Sequence, residues 1–179
     1  MRYLVLSLVC ATPAFAETCP AVADNSDMLA TIYTELNGPD GQFRNRQLSA
    51  QLWEIWTDAP DAKAQALLDE GMRKREGFDL AGASETLDEL IAYCPDYAEG
   101  YNQRAFANFL RQDFDAALVD LDRALELLPN HVAALSGKGL TLMGLGRTEE
   151  AQEALRAAVA LNPWLSERSL IIEPPGQDI

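Results

Sequence analysis

Apolar and small residues return along the middle of this chain at one fixed interval. Gly71, Ala105 and Gly139 stand 34 residues apart in turn. Ala83, Ala117 and Ala151 repeat at the same spacing, as do Leu87, Leu121 and Leu155, and Pro95, Pro129 and Pro163. A large apolar residue also recurs, as Leu67, Tyr101 and Leu135. The pattern predicts two antiparallel helices per unit. The small residues let the paired helices approach closely, and the proline ends the second helix because it cannot continue the hydrogen-bond ladder. One such hairpin leaves its apolar face bare, so three stacked hairpins are needed to make a continuous core.

Two further helices are predicted upstream. Ser26 stands where an N-cap would, and Met28, Ile32 and Leu36, flanked by Leu29 and Tyr33, form an amphipathic stripe. Asn37-Gly38-Pro39-Asp40-Gly41 ends it. A second helix is expected from about Leu48 to Thr57, with Leu48, Leu52 and Ile55 on one stripe. Trp53 and Trp56 widen that stripe as packing anchors rather than a ligand cage. Downstream, Trp164, Leu165 and the run Leu170-Ile171-Ile172 are expected to cover the exposed face of the last unit, and the final six residues to be disordered.

These positions carry a resemblance. Residues 64–165 resemble the tetratricopeptide repeat (TPR) family, best from Tyr101 to Pro129 and from Leu135 to Pro163. The first unit departs most, with Phe78 where glycine is usual and Leu90 in place of the small residues Ala124 and Ala158. The resemblance implies an all-α, right-handed α-solenoid of three hairpins (64–97, 98–131 and 132–165) after a helical lead-in over 17–63, with a C-terminal cap and tail over 166–179. The whole chain also resembles small exported repeat proteins of alphaproteobacteria with a Trp-containing helical lead-in.

Charge narrows the partners. Asp and Glu number 28 against 14 Lys and Arg, a net charge of −14. Phosphate binding needs clustered Lys and Arg, so no nucleic acid is expected, nor adhesion to anionic lipid. Arg2, the apolar run Leu4 to Cys10 and Ala14-Phe15-Ala16 read as a signal peptide over 1–16, cleaved after Ala16. No segment reaches transmembrane length, so the mature chain is expected to be soluble and periplasmic or secreted. It would keep Cys19 and Cys94, which read either as one disulfide or as two free thiols.

Catalytic chemistry has little to stand on. The single histidine, His131, reads as a surface or capping residue just past a helix end. Asp113/Asp115 and Asp120/Asp122 lack the glycine turn and closing glutamate of a calcium loop, and Asp113 suits a helix cap. Gly144-Leu145-Gly146 is an inter-helix turn, with no Lys-Ser/Thr to make it a phosphate loop. No enzyme, cofactor or metal is expected.

What remains is a surface. The resemblance implies that the first helices of the hairpins line a concave groove, and the matching residues are Leu68, Met72 and Arg75, then Asn102, Phe106, Phe109 and Leu110, then Ser136, Leu140 and Met143. Some family members clamp a C-terminal carboxylate. The comparable places here hold Leu68, Met72, Gln103, Ala133 and Gly137, which do not suit one. An apolar groove with polar edges fits a helix or an extended peptide. Two functions follow: an exported scaffold or adaptor that binds a protein or peptide and assists assembly of envelope proteins, or a structural homo-oligomer whose groove is filled by its own N-terminal helices.

Overall fold

The computed structural model describes residues 18–172. The signal peptide and the tail expected to be disordered lie outside the described residues. The elements run α1 (Ser26–Leu36), α2 (Gly41–Thr57), α3 (Ala62–Glu76), α4 (Leu80–Tyr93), α5 (Ala98–Leu110), α6 (Phe114–Leu127), α7 (Val132–Gly144), α8 (Thr148–Leu161) and a short 3-10 helix, Ser166–Leu170. Among the described residues there is no strand. Helices α3 to α8 pair into three hairpins, stacked in chain order.

The repeated positions explain the stacking. A Cβ at Gly71 would come within 2.7 Å of Leu87, and one at Gly139 within 2.6 Å of Leu155, so each small residue sits against the leucine of the second helix in its own unit. In the middle unit Ala105 and Leu121 share one buried cluster. Phe78, Gln112 and Gly146 take up the same turn position at successive units, all with positive φ (61°, 62° and 73°). At each turn the following N–H reaches back to the end of the first helix, Asp79 to Lys74, Asp113 to Asn108 and Arg147 to Leu142, each at 2.9 Å. This Schellman geometry satisfies orphan carbonyls and favours glycine, which only the third unit supplies.

Aspartates start three of the helices. Asp61 accepts from the Ala64 N–H at 2.8 Å, Asp79 from Gly82 at 3.1 Å and Asp113 from Ala116 at 3.4 Å. Asp113 therefore caps, as its position implies. Asp120 accepts two bonds from the Arg104 guanidinium, which also reaches Asp88, and Asp122 pairs with Lys138 at 2.6 Å. These aspartates are engaged by the chain's own cations.

The lead-in departs from expectation in two ways. Helix α2 begins at Gly41, seven residues before Leu48. Its first turns, Gln42 to Gln47, carry no apolar stripe, and Phe43 is 84% exposed, so local pattern gave no sign of helix there. The α1–α2 hairpin also folds back along the array. Its core residues Leu29, Ile32, Leu36, Leu48 and Leu52 pack with Val132 and Ala158, and with Trp164 and Leu165 beyond α8. Polar bonds secure this: the Tyr33 hydroxyl donates to the Asn130 carbonyl at 2.5 Å, Asn37 Nδ2 to Leu161 at 3.0 Å and Trp164 Nε1 to Leu36 at 2.9 Å. Burial pushes the Tyr33 phenol well above its ordinary value.

The sequence before α1 is tied to the first unit. Cys19 and Cys94 form a disulfide, with Cα atoms 5.2 Å apart. At the other end, Leu170 and Ile172 do not cover the third unit as a buried face; they are 36% and 59% exposed. Their backbone is held along α8 instead, by Gln152 to Leu170 and Ile172 and by Arg156 to Ile172.

Candidate ligand groove

Helices α5 and α7 are neighbours in the array, and α2 packs against α5. Asn102, Phe106 and Phe109 lie at i, i+4 and i+7 on α5, one face of the helix. Ala133, Gly137 and Thr141 form one ridge of α7, with Ser136 and Leu140 beside it. Trp53 of α2 closes one side, and Leu165 and Glu167 close the end. Together these residues line a pocket of about 290 Å³.

Of the residues expected to line a groove, Asn102, Phe106, Phe109, Ser136 and Leu140 come together here. Met72 does not; it packs with Leu68 and Leu87 in the core of the first unit. Arg75 sits over the Phe106 ring, 4.3 Å from its centroid, outside the lining. Burial lowers the pKa of its guanidinium. Met143 is 42% exposed and also outside the lining. Phe106 is 44% exposed, whereas Phe109 is half-buried and rests on Phe114, with ring centroids 5.5 Å apart. The pocket adds Trp53, Thr141, Leu165 and Glu167, which the repeat pattern did not single out. Thr141 was available from helical spacing, four residues beyond Gly137. The other three approach from the lead-in and the C-terminal segment, which carry no repeat.

Behind this wall lies a buried polar network. Glu99 is 1% exposed. Its carboxylate accepts from Asn102 Nδ2 at 3.1 Å and from Gln103 Nε2, and meets His131 Nε2 at 2.8 Å. His131 Nδ1 accepts the Ala134 N–H at 3.4 Å, so the tautomer that satisfies both bonds carries its proton on Nε2 and donates it to Glu99. His131 thus caps α7, but it is not a surface residue: it is fully buried and stacked on Trp56. The Trp56 ring arrives from the lead-in, far away in sequence, which is why position alone pointed to the surface.

The network fixes the amide of Gln103. A carboxylate that only accepts holds the Nε2 side, so Oε1 faces away from Glu99. That oxygen is buried without a hydrogen-bond partner among the described residues, as are Ser136 Oγ and Thr141 Oγ1. All three residues line the pocket. Among the described residues no group of three or more His, Cys, Asp or Glu could hold a metal ion, and no helix is long and apolar enough to cross a membrane.

Stacked helical hairpins whose first helices line a groove define an α-solenoid. A tetratricopeptide repeat model matches residues 109–163. Tetratricopeptide repeat protein 36 of Xenopus tropicalis is 31% identical over 150 residues, spanning 78% of this chain and 73% of that protein. The chain belongs to the tetratricopeptide repeat family. It also matches a TPR repeat-containing protein of Rhizobium etli, 33% identical over 94 residues, which is 52% of this chain but only 46% of that relative. Among solved structures, the first TPR of Spaghetti (RPAP3), bound to an HSP90 peptide, superposes with a TM-score of 0.60 at 22% identity, over 62% of this chain and 88% of that one. The TPR2B domain of yeast Sti1, in complex with pHsp70, gives 0.57 at 27% identity, over 62% and 90%.

Proposed function

We propose that this chain is an exported scaffold or adaptor that binds a protein or peptide segment in the pocket between α5, α7 and Trp53 of α2. In this reading it assists the assembly or organisation of envelope proteins. The observation that carries the binding reading is the pocket itself: an apolar cleft of about 290 Å³ on the first helices of the second and third hairpins, with Phe106 exposed at 44%. Solved TPR domains of this fold include ones holding HSP90 and Hsp70 segments, which supports a peptide ligand. The signal-peptide pattern of residues 1–16 supports export.

The pocket also bears on the self-filling alternative. The lead-in does not leave the array free, since Trp56 is buried against the second and third units and Trp53 forms part of the pocket wall. The lead-in thus builds a wall of the site and leaves Phe106 partly exposed beside Arg75.

The test is affinity capture of envelope proteins on the wild-type chain and on Phe106→Ala, with sedimentation at two protein concentrations. Selective capture by the wild type at constant mass is the expected result. Equal capture by both, with a mass that rises with concentration, would favour the self-associating subunit.

A further inference from the structure

We infer that the outer face of the first hairpin is a second docking surface, separate from the groove, and that it takes an amphipathic helix of a partner protein that presents a lysine or arginine to Glu70.

The repeat shows what this face lacks. In the second and third units the first helix is covered by the second helix of the hairpin before it: α4 packs on α5, and α6 on α7. Gly100 of α5 lies against α4, where a Cβ would meet Leu90 and Ile91 at 3.4 Å. Its counterpart in α7, Ala134, is fully buried in one cluster with Ala124, and Leu125 packs against that cluster. One unit earlier the same register falls on Ala66 of α3, and Ala66 is exposed. The α1–α2 hairpin, next before it in the chain, packs on Val132 and Ala158 instead. Ala66 and Leu67 of α3 and Ala92 and Tyr93 of α4 form the apolar floor of a shallow furrow, edged by Lys63, Glu70 and Glu89. The outermost repeat of a solenoid ordinarily turns a polar face to water.

An ion pair marks the register at each covered junction. Arg104 of α5 pairs with Asp88 of α4 at 2.5 Å, and Lys138 of α7 with Asp122 of α6 at 2.6 Å. The position that holds Arg104 and Lys138 holds Glu70 in the first unit, so the polarity is reversed there. A helix that sits on α3 as α4 sits on α5 must therefore offer a cation where α4 has Asp88. Two and three residues further on it needs apolar side chains, as Leu90 and Ile91 follow Asp88 and as Ala124 and Leu125 follow Asp122. Glu70 turns to Arg73 and Lys74 of its own helix, but the Arg73 side chain is 70% exposed, and such surface pairs are weak enough to exchange. Glu89 adds a carboxylate at the edge, and the net charge of −14 favours a basic segment. A second copy of the chain would bring Arg156, which stands 34 residues after Asp122. Arg156 already donates to the Ile172 carbonyl, and the 3-10 helix lies along α8, so that face is covered and a partner protein is the better fit.

The chain's own α4 supplies the probe. Two stapled helical peptides carry the sequence Leu80–Tyr93, one unchanged and one with Asp88→Lys, and their binding to the folded chain is read by fluorescence anisotropy. The Asp88→Lys peptide is expected to bind about threefold more tightly, in keeping with an exposed ion pair. Glu70→Lys in the chain should reverse that order, and Ala66→Arg, which fills the floor of the furrow, should remove binding of both peptides. Both substitutions lie on the surface, and melting curves matching the wild type verify that the variants fold. Capture through the groove should be the same for Ala66→Arg as for the wild type. The inference is overturned if neither peptide binds, if Ala66→Arg has no effect, or if Glu70→Lys leaves the order as it was. Loss of peptide binding in Phe106→Ala would place the peptides in the groove, overturning this inference while leaving the groove reading intact. Sedimentation showing self-association that Ala66→Arg abolishes would give the face to a second copy of the chain and likewise overturn it.

Discussion

The indole of Trp56 lies stacked on the imidazole of His131, ring centroids 4.2 Å apart and 22° from parallel. One ring belongs to the lead-in and the other caps the third hairpin's first helix, so this contact couples the two parts of the molecule. The Tyr97 hydroxyl adds to it, donating to the Trp56 carbonyl at 2.6 Å. Trp56→Ala should cost about 3–5 kcal/mol in urea unfolding, as truncations of buried aromatic residues do. Trp56→Phe should cost far less, because the Nε1–H it removes is buried without a hydrogen-bond partner among the described residues.

The turn position shared by Phe78, Gln112 and Gly146 carries a second prediction. A left-handed backbone penalises any residue with a Cβ. Phe78 is 77% exposed, so little packing is lost on replacement. Phe78→Gly and Gln112→Gly should each raise stability by about 0.5–1 kcal/mol, whereas Gly146→Ala should lower it by a similar amount. Thermal melts of the three single variants check the sign at each turn.

The disulfide spans 75 residues of sequence and pins the segment before α1 to the end of α4. Reducing it, or making Cys19→Ala with Cys94→Ala, should lower unfolding free energy by about 2–4 kcal/mol. Denaturant melts with and without reductant measure this, and the double-alanine variant should be insensitive to reductant.

The two groove phenylalanines should separate. Phe106 is exposed and touches Arg75, while Phe109 is half-buried against Phe114. Phe106→Ala should change stability by less than about 1 kcal/mol. Phe109→Ala should cost about 2–3 kcal/mol, because it opens space between α5 and α6. The double variant would confuse binding with folding, so Phe106→Ala alone is the useful reporter of ligand capture.

Asp61 gives a prediction in pH. The Ala64 N–H and then the Tyr93 hydroxyl hold its carboxyl below the usual carboxylate range. A folded value below the unfolded one, about 3.9, means the capped carboxylate stabilises the fold at any pH above that unfolded value. The contribution is lost as the pH falls from about 4 through the lower folded value. Asp61→Asn keeps a capping side chain but cannot titrate. The gap in melting temperature between wild type and Asp61→Asn should therefore be constant above about pH 5 and close on acidification.

How much of this was legible depends on how local the cause was. The three hairpins followed from residues that meet inside one unit, such as Gly71 with Leu87 and Gly139 with Leu155. The unusual turn at Phe78 was visible for the same reason. The docking of α1 and α2 was not, since Tyr33 meets Asn130 and Leu36 meets Trp164 across separations of 97 and 128 residues. No periodicity encodes such a pairing. Everything that depends on it was equally hidden: the burial of His131, the role of Trp53 in the pocket wall and the reach of α2 back to Gly41. The α5 and α7 positions of the groove could be placed by counting along the repeat. Met72 could not, because the same count does not say which first helices meet the lead-in, and Met143, the penultimate residue of α7, lies outside the lining.

The fold-back of the first hairpin changes how the molecule should come apart. A linear stack of repeats holds each unit only through its neighbours, so it frays from whichever end is weaker and its segments melt in sequence. Here Asn37 and Leu36 are bonded to the last hairpin at Leu161 and Trp164, while Cys19 is fastened to the first. Neither end is left to peel away by itself. The chain should thus lose its structure as one unit, slowly and all at once, a cooperativity that a three-hairpin stack does not possess but a stack closed upon itself does.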